Sequence, residues 1–153
     1  MFNLVKSFDR RGEWDLTFKE AKIVEKIDDS NDIVHLVIKT SPTACRDFCL
    51  LRSIRHTPSL NQYVISNHSI DHPAARKIVD GSKTDKDEIS RGQLLASGFV
   101  IKKKVRVTSA SEVTYIAQTA SNTLGLVLAD LVGQSNIIRM SFMKLRTVLE
   151  EKK

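Results

Sequence analysis

The last quarter of the chain repeats apolar residues at the spacing of one long amphipathic helix. Successive members lie four, three, seven, four, three and four residues apart, and the interval of seven passes over Ser135: Leu124, Leu128, Leu131, Ile138, Phe142, Leu145 and Leu149. The pattern predicts a helix over residues 124–150, roughly 40 Å long at a rise of 1.5 Å per residue. Other apolar residues widen this face, so we expect the helix to lie across a broad surface. Gly133 is a weak point in its middle.

Six segments with the alternation of β-strands precede this helix. They span residues 20–27, 33–39, 46–56, 61–70, 93–107 and 113–119, and follow a first stretch, residues 1–17, that is typical of a helix or helix end. Residues 71–90 carry no apolar periodicity and are interpreted as a polar loop. Because no crossover helix separates the strands, the pattern predicts antiparallel neighbours. The predicted fold class is α+β, with the C-terminal helix covering the concave face of the sheet.

Composition limits the class of protein. With 153 residues, 41% of them hydrophobic, the chain is expected to form a single domain over residues 1–153. No apolar run approaches the roughly 20 residues that span a bilayer, and no signal peptide is visible, so a cytoplasmic location is predicted. Cys45 and Cys49 lie on one strand, roughly 13 Å apart, which is beyond disulfide reach. We therefore expect reduced thiols.

The net charge of +6 favours acidic partners, such as an anionic membrane surface or nucleic acid. The excess is scattered, because only Arg10-Arg11 and Lys102-Lys103-Lys104 form basic runs. Aromatic residues make up 6% of the chain, and none forms a stacking platform between those runs. A solvated basic surface is therefore favoured over a phosphate-binding face, and no nucleic-acid partner is expected.

Enzyme and metal signatures are missing from the sequence. There is no GxSxG, P-loop, GxGxxG or HExxH pattern, so the chain is not expected to be an enzyme. Cys45 and Cys49, followed by His68 and His72, resemble a zinc pattern only superficially, because the gap between the pairs exceeds the spacing of zinc fingers. No cofactor and no metal are predicted.

One cation stands where a sheet normally buries apolar groups. Arg52 lies in phase, at period two, with Phe48, Leu50 and Ile54. An inward guanidinium needs a partner or trapped water, since an unpaired buried charge is costly. The alternative is that the side chain extends to an edge of the sheet. If the sheet and the helix enclose a hollow, a buried arginine can orient the polar head of an amphipathic ligand.

These landmarks resemble those of the START domain, the steroidogenic acute regulatory protein-related lipid transfer domain, over nearly the whole chain. Within the family, the segments SRGQLLASGF and YIAQTAS are similar to START domains of acyl-CoA thioesterases, and RDFC and YIAQ are similar to that of a large kinesin. The ordered set, rather than any one member, carries the resemblance: Glu13-Trp14-Asp15, the KEAKIVEKI strand, the His35 strand, Arg46-Asp47-Phe48, Arg52, Ser90-Arg91-Gly92, Val113-Thr114-Tyr115-Ile116 and the C-terminal helix.

The resemblance implies a helix-grip fold, in which a curved antiparallel sheet wraps a long C-terminal helix around a tunnel that holds one lipid. It implies that Arg52 points into this tunnel and that Arg91 faces or borders it. The amphipathic pattern of the helix, together with Gly133, further predicts that the helix acts as a gate and releases the ligand when it loosens at a membrane surface. The remaining predicted lipid-binding residues are Leu36, Leu50, Ile65, Phe99, Tyr115, Leu128, Leu131, Ile138 and Phe142.

The chain departs from the family pattern in two respects. In sterol-binding members, an acid on the preceding strand pairs with the cavity arginine, and the matching position here is Leu36. Either a different acid or a ligand head group must then satisfy Arg52. The family's domain also begins with a helix and three further strands, so the chain is expected to represent its C-terminal three quarters.

The predicted function is a lipid-binding module for transfer or sensing of a sterol, a phospholipid or a fatty-acyl species. The alternative is a non-transferring regulatory or interaction domain of a larger acyl-CoA thioesterase or kinesin. Vesicle-to-vesicle lipid transfer discriminates between them, because a regulator binds lipid without accelerating its exchange.

Overall fold

The computed structural model describes residues 1–40, 44–74, 88–104, 110–120 and 127–151, with the backbone alone at residue 88 and residues 127–135. Short 3-10 turns lie at Arg11–Glu13 and Pro58–Leu60. In chain order, the helices and strands are α1 (Phe2–Lys6), β1 (Phe18–Lys26), β2 (Asn31–Lys39), β3 (Ala44–Thr57), β4 (Gln62–Ser69), β5 (Glu88–Arg91), β6 (Leu94–Lys103), β7 (Ser111–Thr119) and α2 (Val127–Glu150).

The seven described strands form one sheet with the order β1-β2-β3-β4-β6-β7, and all neighbours along this path are antiparallel. The 14 residues of β3 are enough to take a second partner, since residues 50–57 pair with β4 and residues 44–47 pair in parallel with β5. The curved sheet and the long C-terminal helix confirm the predicted α+β class and the helix-grip arrangement.

The sequence pattern does not predict β5. Three of its four residues, 88–90, fall in the stretch interpreted as a polar loop, and Ile89 is its one apolar side chain. Backbone pairing with β3 and an ion pair between Arg91 and Asp47 hold it instead. Of the predicted first helix, α1 covers five residues, and a 3-10 turn follows it. Residues 105–107 and 124–126 of two predicted elements lie outside the described residues.

The strand register decides which side chains share the inner face of the sheet, the face on which α2 packs. Alternation along β2 and β3 sends one set of residues inward and the other outward. On the outer face, His35 pairs with Cys49 and Val37 with Asp47. The inner pairs are Asp32 with Arg52, Val34 with Leu50 and Leu36 with Phe48.

Two packed clusters fill the inner side. In the first, α1 and the end of α2 pack against β4, β6 and β7, with Trp14 and Leu145 each 2% exposed. The second joins β2 and β3 to the N-terminal segment, where Phe8 and Phe18 cover Leu36 and its neighbours. Aromatic contacts tie the first cluster together, since the Phe99 ring centroid lies 4.7 Å from that of Tyr115.

The C-terminal half of α2 is attached to the rest of the domain by apolar packing and by one buried hydroxyl. Phe142 and Leu145 pack into the first cluster. Ser141, 5% exposed, accepts a hydrogen bond at 3.0 Å from the backbone N–H of Leu16. That segment is itself fixed because Asp15 accepts bonds from Arg11 at 2.8 Å and from the Thr17 hydroxyl at 2.7 Å.

Candidate functional site

Arg52 lies on the inner face with its charge buried. Its side chain is 7% exposed, and that of Asp32, opposite it on β2, is 13% exposed. The guanidinium donates to this carboxylate twice, from Nε to Oδ1 at 2.8 Å and from Nη2 to Oδ2 at 2.5 Å. Bidentate pairs of this kind are among the strong hydrogen bonds of proteins. Arg52 therefore does not extend to a solvent edge.

The segment that includes α1 encloses the other side of the guanidinium. Nη1 of Arg52 donates to the carbonyl oxygen of Lys6 at 3.1 Å, and its Cζ atom lies 4.4 Å from the centroid of the Phe8 ring. Stacking of a cation on an aromatic face is attractive. Of the two partners left open for Arg52, the structure supplies the acid, which is Asp32. Leu36, the position that matches the family's acid, pairs instead with Phe48.

A small interior cavity lies on the same face. Its volume is about 30 Å³, the scale of a single water molecule. Phe8 and Arg11 border it from the N-terminal segment. The wall includes four of the residues predicted to bind lipid: Leu36, Leu50, Phe99 and Tyr115.

The other predicted residues of the inner face lie elsewhere or are not described. Ile65 and Phe142 belong to the adjacent packed cluster. Ile138 is half-buried on α2, whereas the side chains of Leu128 and Leu131 lie outside those that the structure describes. A lipid-binding role stays a prediction for these five residues and equally for the four that line the cavity.

Besides Arg11, three polar side chains border the cavity, and of these the sequence analysis had predicted only Tyr115 to bind lipid. Asn67 and Ser97 face each other across β4 and β6 and also line the wall. Burial raises the pKa of Tyr115, so its phenol is neutral at physiological pH, and within the described residues its hydroxyl makes no hydrogen bond. Together they offer donors and acceptors to a polar ligand group. The signal that could have found them was phase, because Asn67 lies two positions from Ile65 and Ser97 two positions from Phe99, so each shares the inner face of its strand.

A second, open pocket lies on the far side of Phe8. Its volume is about 570 Å³, within the roughly 300–1,000 Å³ typical of ligand sites. The wall is formed by the α1 segment, by β1 from Ala21 to Ile23 and by Arg52. Among the described residues, Phe8 is the one that lines both this pocket and the interior cavity.

The structure does not bring Arg91 to the cavity. β5 pairs with the start of β3 so that Arg91 lies beside Asp47, on the outer face. Arg91 Nη2 lies 2.7 Å from the Asp47 carboxylate, and His35 Nε2 lies 2.9 Å from it. Desolvation raises the pKa of Asp47, but hydrogen bonds from His35 and Arg91 more than offset it and hold that pKa below its usual value. The sequence does not predict β5 or its pairing with β3, so the position of Arg91 could not be inferred from it.

Other candidate sites are limited in the part of the chain that the structure describes. There, no group of three or more His, Cys, Asp or Glu side chains is placed to hold a metal ion. Cys45 and Cys49 are both buried and are not joined by a disulfide. Burial raises the pKa of the Cys49 thiol. Neither described helix is long and apolar enough to cross a membrane.

Comparison with known protein families shows to which family this chain belongs. The model of the START domain matches residues 1–122 of the chain. The chain belongs to the START domain family. START domains are lipid-binding and lipid-transfer domains, and the resemblance seen in the sequence landmarks is confirmed.

Three solved structures of human proteins share this fold. This START domain superposes on human StAR-related lipid transfer protein 5 with a TM-score of 0.75 at 17% identity, covering 98% of this chain and 68% of that one. Human STARD10 gives 0.71 at 18% identity, with 98% and 57% covered. The lipid transfer and protein localization domain of human StarD13 gives 0.61 at 21% identity, with 80% and 56% covered.

Curated relatives are longer proteins. Mouse acyl-coenzyme A thioesterase 11 is 27% identical over 140 residues, which are 89% of this chain and 22% of that protein. The F-box/WD repeat-containing protein A of Dictyostelium discoideum is 26% identical over 118 residues, which are 77% of this chain and 8% of that protein. The chain thus spans less than a quarter of either relative.

Proposed function

We propose that this START domain holds one lipid between the inner face of its sheet and α2. The observation that carries the proposal is a buried ion pair, Arg52 with Asp32, on the same face as a cavity whose walls are mostly apolar. Burying a pair of charges gives little net stability compared with apolar packing. A polar anchor on an apolar face is useful, however, for orienting the head of an amphiphile.

Lipid binding requires the walls to separate, because about 30 Å³ accommodates no lipid. In this proposal, α2 is the wall that moves and acts as the gate predicted from its amphipathic pattern. Its C-terminal half is the fixed end, where Leu145 is 2% exposed and Ser141 bonds to Leu16. A disulfide engineered between α2 and the sheet should abolish lipid exchange.

Replacing the buried hydroxyl tests the gate. Ser141→Ala removes the acceptor for the Leu16 N–H, worth about 1 kcal/mol, and should accelerate lipid exchange roughly fivefold. Thr147→Ala is the matched control, since this exposed hydroxyl bonds within α2, to the Met143 carbonyl oxygen at 3.3 Å. Equal exchange rates for the two variants would refute Ser141 as the anchor of a moving helix.

The function itself is tested by mass spectrometry of lipids that copurify with the domain and by transfer of labelled lipid between vesicles. We expect one lipid per chain, drawn from sterols, phospholipids or fatty-acyl species. Leu50→Phe fills the cavity and should reduce the bound fraction several-fold. Leu51→Phe, on the opposite face of β3, should not. Absence of bound lipid in the unmodified chain would contradict the proposal.

A second candidate function is regulatory. The observation that favours it is the length of the curated relatives, of which this domain matches 22% and 8%. As part of such a protein, the domain would sense a lipid in the cytoplasm and report to neighbouring domains without transferring the lipid. Binding without any acceleration of vesicle-to-vesicle exchange would support this function over transfer.

A further inference from the structure

One aromatic ring, that of Phe8, separates the interior cavity from the second, open pocket between α1 and β1, which we call the lateral pocket. The cavity measures about 30 Å³ and the pocket about 570 Å³, and within the described residues Phe8 is the side chain common to both walls. The larger space lies between α1 and β1, the first strand of the sheet order, and Arg52 is part of its wall. Displacement of this ring would join the two spaces.

Phe8 is held in its position by a contact that can be exchanged for a ligand. Its ring stacks on the Arg52 guanidinium at 4.4 Å. A guanidinium has five N–H donors. The described acceptors, Asp32 and the Lys6 carbonyl, take three bonds from Arg52. Donor capacity therefore remains beside the ring, at the floor of the lateral pocket.

Hydrogen-bond donors around this pocket decide the type of head group. Lys6 and Arg52 contribute two positive charges to its wall, and Asp9 and the Asp32 carboxylate bonded to Arg52 contribute two negative charges, so the net charge is zero. Lys22 also lines the wall, but it pairs with His35, so its side chain lies on the outer face. The remaining N–H donors of the Arg52 cation favour a group with strong acceptors, such as a carboxylate or phosphate, over an ammonium, which has none.

We propose that the lateral pocket is a head-group site for an anionic amphiphile, carboxylate or phosphate, and that Phe8 controls the passage of its chain into the interior, where movement of α2 makes room for the chain. The inference rests on the proposed lipid-binding function and adds the side of entry, the class of head group and the gating residue. It places the head group outside Phe8, next to Arg52, and the acyl chain along the apolar inner face.

The gate is tested by stopped-flow uptake of a long-chain fatty acid with a terminal fluorophore. Phe8→Ala should increase the association rate about tenfold, because both the ring and its stacking on the cation are lost. Phe18→Ala is the control, since Phe18 packs on the same cluster but lines neither space, and its rate should change less than about twofold. Phe8→Leu keeps apolar volume without the stacking and should also accelerate uptake, which covers the case of a poorly folded alanine variant.

The head-group class is tested with Arg52→Lys, which keeps the positive charge opposite Asp32 but removes the spare N–H donors, against Arg55→Lys, the same change on β3 outside the pocket. Arg52→Lys should weaken binding of the fatty acid and of a lysophosphatidate about fivefold and leave the corresponding fatty alcohol unchanged. The tighter of the two anionic probes then identifies carboxylate or phosphate. Arg55→Lys should affect none of the three probes.

The outcomes separate the two proposals. If the unmodified chain binds none of the probes, the proposed function fails, and this inference fails with it. If the chain binds lipid, but Phe8 variants take up the fatty acid at the rate of Phe18→Ala, or the alcohol loses as much affinity as the two anions, only the lateral site is refuted.

Discussion

The ion pair between Asp32 and Arg52 should contribute to stability as a unit. Asp32→Asn keeps the size of the side chain but removes the negative charge and leaves the Arg52 cation, 7% exposed, without its counter-ion. Breaking a buried pair in this way costs about 3–5 kcal/mol. Because the Asp32 side chain is 13% exposed, water partly compensates the cation, and we expect the lower end, about 3 kcal/mol.

For a chain of this length, that loss corresponds to a decrease of Tm by roughly 6–12 °C. Urea unfolding provides the free energy, and Trp14 is a suitable probe because it is the one tryptophan of the sequence and is 2% exposed. Asp29→Asn is the matched control, since Asp29 pairs with Lys26 at 3.1 Å in full contact with solvent, and it should leave the urea midpoint unchanged.

A double-mutant cycle completes the test. Replacing both partners with apolar residues, Asp32→Leu together with Arg52→Met, should cost less than Asp32→Asn alone, because no uncompensated charge remains. A loss below about 1 kcal/mol for Asp32→Asn, or strictly additive effects in the cycle, would show that the pair behaves as a surface ion pair and would refute the reasoning.

Three further predictions concern other parts of the fold. The folded-state pKa of Asp47 lies below its ordinary value of 3.8. Its ionised form therefore contributes its full stabilisation above pH 3.8, and this stabilisation is lost as the pH falls through the folded-state pKa. Asp47→Asn should remove this loss at acid pH, measured as Tm across a pH series. Gly98→Ala should cost about 3 kcal/mol or more, since φ is +150° and the added Cβ would collide with the Ile65 carbonyl. Gly12→Ala, with ordinary space for a Cβ, should be tolerated in the same thermal assay. Leu145→Ala, at 2% exposure in the helix-sheet core, should lower the urea-unfolding free energy by about 2–5 kcal/mol.

The periodicity of the apolar residues and the lengths of the periodic segments were sufficient to predict most of the fold. Alternation in β2, β3, β4 and β7 and the spacing in α2 are properties of single segments, so a local pattern identifies them. The four residues of β5 have no such pattern, because their pairing is determined by β3 and by the ion pair of Arg91 with Asp47. The location of Arg91 was missed for this reason.

The candidate site was predictable only where alternation alone sets the direction of a side chain. This applies to Arg52, whose burial follows from its phase with Leu50. Its partner Asp32 falls between two predicted strands, in residues 28–32, where acidic, Ser and Asn residues are typical of a turn. The role of Phe8 depends on how the chain after α1 crosses the sheet, and no period in the sequence encodes that path.

The last strand of the sheet has a consequence for how the domain is handled. Within the described ranges, β7 pairs with β6 on one side, and it ends the strand order. Its nine residues include one charged side chain, Glu112, and an isoleucine, Ile116, that is 57% exposed. Such a border has few of the lysines and prolines that discourage intermolecular β-pairing. Within the described part of the chain, this edge is therefore open to a further strand, and Ile116→Lys should reduce any self-association of concentrated preparations measured by light scattering.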